Sequence, residues 1–338
     1  MSWFSRHTYE SAGAGEGNGA PARAASRRRV KLGLALGAGA ARGWAHIGIL
    51  RELDAAGLKP DVVAGTSVGA VVGGSYAAGK LDNIEDFALG INKRRMFSLM
   101  DFSFSGSGLI SGARLKARLD EALADTKIED LPIRFSAVAA EMGSGHEIWL
   151  SKGRLVDAIR ASYALPGIFE PQKINGRWLF DGALVNPVPV TVCRVLGAEV
   201  VIALNIGADL RRVPASEEAI SENALAEIEA TASRQQADNQ GFLPMLRNPA
   251  SLFRRHFAGG ADGAPGIVTA MVDAFNITQD RIARSRLAGD PPDLSIAPRL
   301  TGIGFFDFHR AADMIAIGRE ATRKALPEIR EAMAAAAA

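Results

Sequence analysis

Val30-Lys-Leu-Gly-Leu-Ala-Leu-Gly-Ala-Gly-Ala-Ala-Arg-Gly43 is the stretch whose reading decides the fold. Its first half, residues 30–36, is apolar at nearly every position, as a strand covered on both faces must be. A glycine-rich turn follows. Trp44, Ile47, Leu50 and Leu53 then recur at three-residue steps, which predicts a helix ending near Gly57. The pattern repeats at once. Val62-Val-Ala64 reads as a second short buried strand, turning sharply at Gly65 into a small-residue helix over residues 68–78. Two successive β-turn-α units predict a mostly parallel sheet with helices on its faces.

Working outward from this nucleus, Ser111 is placed to cap an amphipathic helix carrying Leu115, Leu119 and Leu123. Residues 133–140 and 146–150 read as paired strands, and 155–163 as a helix stopped before Pro166. Residues 178–180 and 200–206 supply further strands. Long helices are expected over 216–239 and 267–287, then a strand at 294–297 and a terminal helix over about 309–332. Residues 1–29 are rich in Gly, Ala, Ser and Arg without periodicity, and read as a disordered basic tail.

Hydrophobic residues make up 48% and charged residues 22% of the 338, enough apolar surface for a large α/β core. A formal net charge of +2 leaves no dense basic footprint, so nucleic acid is not an expected partner; protein partners are not legible. Cys193 is the single cysteine, so no intrachain disulfide can form, and its apolar surroundings at 190–196 make it a small core residue. No window reaches the roughly 18 uncharged apolar residues that span a bilayer, and the N-terminus lacks an apolar signal region. A cytoplasmic protein, or one peripheral at the inner face of the membrane, is expected.

Three short motifs carry chemistry. Gly65-Thr-Ser67-Val-Gly69 is a G-x-S-x-G between a strand and a helix, where a strained turn exposes the serine and glycines on either side leave room for it. Upstream, Gly37-Ala38-Gly39-Ala40-Ala-Arg42-Gly43 again joins strand to helix, so that successive N–H groups can converge on an anion. A dinucleotide fingerprint fails there, because Arg42 occupies the third glycine position; an oxyanion hole fits better. The third motif, Asp181-Gly182-Ala183, puts a carboxylate at a strand end before a tight turn. The few histidines and one cysteine show no metal-ligand spacing, and no cofactor motif is complete.

Together with Ala161-Ser-Tyr-Ala-Leu-Pro-Gly-Ile-Phe-Glu-Pro171, these motifs resemble the patatin-like phospholipases, in particular their bacterial members related to neuropathy target esterase. The resemblance runs from about residue 30 to 326. It implies a three-layer α/β/α fold and a Ser-Asp dyad that hydrolyses fatty acyl esters of phospholipids or lysophospholipids without a metal. Carried over residue by residue, Ser67 is the nucleophile and Asp181 the base, and the amides around Ala38, Gly39 and Ala40 hold the oxyanion. The family's loop is richer in glycine than this one; Ala38 and Ala40 keep their N–H groups but meet a steric penalty wherever φ is positive. Arg42 matches the family's basic residue, either fixing the loop or lying on the surface.

A dyad meets a physical objection, since a carboxylate with an ordinary pKa near 4 is a weak base toward an alcohol. The mechanism works only if proton transfer is coupled to attack while the oxyanion donors absorb the charge, and partial burial of Asp181 would help by raising its basicity. Two other readings stand beside the dyad. Ser67, Asp181 and His309 follow the chain order of an α/β-hydrolase triad, and the fold can also serve as a non-catalytic regulator. His46 reads as a packed or hydrogen-bonded residue. The 210–290 region stands apart in character. Residues 241–257 mix large apolar side chains with Arg247, Arg254 and Arg255, which suits a lid, a membrane contact or an ordinary loop.

Overall fold

The computed structural model describes residues 29–92, 95, 108–110, 112–208 and 266–338. β1 (Leu32–Leu36) and β2 (Val62–Thr66) are buried at every position, as their unbroken apolar runs require. A short 3₁₀ turn (Ala40–Trp44) and α1 (Ala45–Ala55) carry the chain between them. The strands pair in parallel with Leu34 opposite Val63. From β2 the chain turns directly into α2 (Val68–Ala77) and then α3 (Leu81–Leu89).

The remaining elements are β3 (Gly108–Ile110), α4 (Ala113–Leu123), β4 (Arg134–Glu141), β5 (Glu147–Leu150), α5 (Leu155–Ser162), β6 (Gly167–Phe169), β7 (Gln172–Ile174) and β8 (Arg177–Asp181). They are followed by α6 (Val190–Val195), β9 (Val200–Leu204), α7 (Ile267–Gly289), β10 (Leu294–Ile296) and α8 (Ala311–Ala337). The main sheet runs β10-β9-β1-β2-β4-β8-β7, with β5 also paired to β4. Its centre is parallel, while β5 and β8 run antiparallel to β4 and β7 antiparallel to β8. β3 and β6 form a separate parallel pair.

Strand alternation sorts the side chains into two layers of core. Leu32, Leu34 and Leu36 of β1 share one cluster with α1, α2 and α8. Ala35, Ala64 and Ala203 face the other way, against Val192 and Cys193 of α6 and Ala283 of α7. The result is the expected three-layer α/β/α arrangement. Cys193 is fully buried there and burial pushes its thiol up to about 12, so it is inert packing.

Two helix boundaries bear on these expectations. The residue that precedes α4 is Gly112, at φ 70°; Ser111, expected as the cap, lies outside the described residues. The chain enters this helix through the left-handed region, which glycine adopts without a Cβ penalty. The terminal helix continues to Ala337 despite Pro327, because one missing N–H is outweighed by the alanine-rich end that follows. The expected tail at residues 1–28, the helix at 216–239 and the 241–257 segment lie outside the described residues. Arg29, the one tail residue described, pairs with Asp61 at 2.8 Å. Among the described residues no helix is long and apolar enough to cross a membrane.

Candidate active site

Ser67 occupies the single residue between β2 and α2, at φ 57° and ψ −124°. That backbone conformation costs a non-glycine residue on the order of 1–3 kcal/mol and lifts the side chain clear of the strand. The flanking glycines are there for space. A Cβ on Gly65 would lie 2.4 Å from the carbonyl oxygen of Gly69, and one on Gly69 would lie 2.2 Å from that of Leu36.

Asp181 ends β8, the strand that lies across β4 from β2. Its side chain reaches Ser67 directly: the serine Oγ donates to Asp181 Oδ2 at 2.7 Å. The second carboxylate oxygen accepts the Ala183 N–H at 2.8 Å. Gly182 makes this turn possible, since a Cβ there would lie 2.2 Å from the Val138 carbonyl oxygen. Asp181 is 2% exposed, and burial raises its pKa to about 7, against the opposing pull of the Ala183 and Ser67 hydrogen bonds. Desolvation of this kind disfavours the charged form and so makes the carboxylate more basic. Ser67 and Asp181 are in direct contact and both Asp181 oxygens are occupied, so no imidazole stands between them. His309 lies in the short turn before α8.

The glycine loop divides its amides between structure and site. The N–H groups of Gly37, Ala38, Ala41 and Arg42 donate to the carbonyls of Leu204, Pro187, Phe305 and Gly39 respectively. Ala38 is therefore corrected from the expected oxyanion donors, because its amide is bound to Pro187 at 2.9 Å. Those of Gly39 and Ala40 have no acceptor among the described residues, and Ala40 lines the same cavity as Ser67. Ala40 takes the positive φ (50°) that a glycine-poor loop was expected to meet. Val68, the first residue of α2, presents another N–H without an intrahelical partner beside the serine, at the positive end of the helix dipole.

Arg42 is 3% exposed, so it belongs to the loop's packing and not to the surface. His46 is fully buried, with Nε2 2.8 Å from the Gly37 carbonyl oxygen, and burial lowers its pKa to about 4. It is a neutral hydrogen-bonded core residue. Gly43 lets the loop close on α2, since a Cβ there would meet the Val68 side chain at 2.1 Å. From Ser67 and Asp181 a cavity of about 610 Å³ extends along α2, between α3 and α4, walled by Val71, Ile84, Phe87, Leu119 and Phe305. Its size lies within the usual range for a small-molecule pocket, and its surface is mostly apolar, with Lys80, Asp86, Arg118 and Glu121 also in its lining.

A family model described as patatin-like phospholipase matches residues 34–194, which contain all three motifs. An NTE family protein of Mycobacterium tuberculosis is 32% identical over 85% of this chain and 88% of its own length. The chain belongs to the NTE family of patatin-like phospholipases. A second NTE family protein of that organism is 30% identical, over 85% of this chain and 45% of its own length. A lysophospholipase of Emericella nidulans is 30% identical over 49% of this chain and 11% of its own length.

The patatin-like domain also uses residues that motif reading passed over. Ser162 Oγ accepts the N–H of Ser67 at 2.9 Å. Thr66 Oγ1 donates to the Asn186 carbonyl at 2.8 Å, tying the end of β2 to the turn that follows Asp181. Ser162 lay inside the quoted 161–171 stretch, but nothing local marks a hydroxyl at a helix end as the partner of a distant amide. Among the described residues, no group of three or more His, Cys, Asp or Glu side chains gathers as metal ligands do.

Proposed function

We propose that this patatin-like protein is a serine lipid acyl hydrolase in which Ser67 is the nucleophile and Asp181 the general base, acting without a metal. One observation carries the reading: a strained, cavity-facing serine donates at 2.7 Å to a buried carboxylate whose pKa is raised to about 7. As Ser67 Oγ attacks the ester carbonyl carbon, its proton passes to Asp181 Oδ2. The carbonyl oxygen takes the negative charge toward the amides of Gly39, Ala40 and Val68. Collapse of the tetrahedral intermediate breaks the bond to the alcohol, which leaves with the proton from Asp181. Water, deprotonated by Asp181, then attacks acyl-Ser67, releases the fatty acid and restores the serine.

The cavity supports an acyl-chain substrate, since the apolar side chains of Val71, Ile84, Phe87, Leu119 and Phe305 line it beside Ser67, with charged Lys80, Asp86, Arg118 and Glu121 also in its lining. The acyl ester is a phospholipid or lysophospholipid presented at a membrane or micelle, with residues 241–257 as the contact segment and the cytoplasmic face of the membrane as the place of action. The lysophospholipase relative supports the same class. A lipid panel tests the reading. The wild type should release fatty acid from phospholipid or lysophospholipid, and Ser67→Ala should be slower by about 10⁴-fold or more. A wild type silent on every lipid and unlabelled by a fluorophosphonate would favour the non-catalytic regulator instead.

A further inference from the structure

α5 closes on Ser162, and the residues at that end touch both halves of the catalytic pair. Ser162 is fully buried. Its Oγ accepts the N–H of Ser67 at 2.9 Å and donates to the Val138 carbonyl of β4 at 2.6 Å. Ala164, just beyond, takes the N–H of Asp181 on its carbonyl at 2.9 Å. The Val138 carbonyl oxygen is also the atom against which Gly182 is packed, 2.2 Å from where a Cβ would stand. One hydroxyl thus links the nucleophile's amide, the middle strand and the turn that aims the base.

The chemistry asks for a hydroxyl at this position. Ser67 holds φ 57°, a conformation that persists only where its surroundings over-determine it. Its N–H lies at the start of α2, where no helical carbonyl is available to accept it. A group that accepts from this amide and simultaneously donates to a carbonyl is needed, and serine has one donor and lone pairs to spare. We infer that Ser162 is a positioning residue of the Ser67–Asp181 pair, its hydroxyl pinning the nucleophile's backbone in the left-handed conformation from which Oγ reaches the carboxylate. The inference rests on the hydrolase reading above for its kinetic consequence, but not for its structural one.

Removing the hydroxyl orphans two buried groups and frees the elbow to relax. Ser162→Ala should lower kcat by about 10²-fold, as expected for a nucleophile displaced by about 1 Å, with KM within about threefold of wild type. If the alanine variant does not fold, Ser162→Cys, nearly isosteric but a poor hydrogen-bonding group, should show the same split. A wild-type kcat per folded molecule in either variant, with only a lowered Tm, would reduce Ser162 to a structural role and overturn the inference. A crystal structure of the same variant reads the effect without turnover. Ser67 should leave the left-handed region and its contact with Asp181 should lengthen; an unchanged elbow overturns the inference even if the wild type shows no esterase activity.

Discussion

Asp181→Asn should give a protein that unfolds less readily yet turns over about 10³–10⁴-fold more slowly. The amide can still accept from the Ala183 N–H, so the turn survives, but it cannot take the proton of Ser67. Stability moves the other way because the wild-type carboxylate is buried, with its pKa raised from 3.8 to about 7. Below pH 3.8 the acid is neutral in both folded and unfolded chains and contributes nothing. As the pH rises toward 7 the unfolded chain ionises first, so stability falls, and above 7 the full penalty of about 4 kcal/mol remains. The variant escapes that penalty. Denaturant melts should therefore separate variant from wild type by roughly 3–4 kcal/mol at alkaline pH and hardly at all near pH 4. A variant less stable than wild type at alkaline pH would show that Asp181 is not held as a destabilised base.

Gly69→Ala should damage both folding and catalysis. The added Cβ would lie 2.2 Å from the Leu36 carbonyl oxygen, 2.7 Å from its carbon and 2.8 Å from the Gly37 carbonyl oxygen. All three are backbone atoms of β1 and the glycine loop, which cannot rotate aside as a side chain would. Relief requires α2 to move away from β1 by about an ångström, at a cost of about 3 kcal/mol or more. The same shift separates Ser67 from the loop amides, so the folded fraction should lose about 10²-fold in kcat/KM. Thermal melts and active-site titration together check this. Wild-type stability in the variant would mean that the close approach between α2 and β1 is not a constraint.

How much of this was legible in the sequence depends on whether the decisive contacts are local. β1 and β2 were readable because burial on both faces leaves an unbroken apolar run. Ser67 was readable because its strained turn needs glycines at fixed offsets, and Asp181 because Gly182 must follow it. The family resemblance joined these two residues; nothing in their local patterns says that they touch. The commitment of the Ala38 amide was hidden, since its acceptor is the carbonyl of Pro187, brought alongside only by the sheet. Ser162 was hidden for the same reason. The basicity of Asp181 was invisible too, because desolvation comes from everything packed around it and not from its neighbours in the chain.

The direct contact between Ser67 and Asp181 is tested most sharply by the pH dependence of fluorophosphonate labelling in His309→Ala beside wild type. The adduct should map to Ser67 in both proteins. Both labelling rates should rise with pH, reach half their maximum near 7 as Asp181 ionises, and level off above it. Collapse of labelling in His309→Ala at every pH, with the protein still folded, would contradict the dyad and put an imidazole into the mechanism.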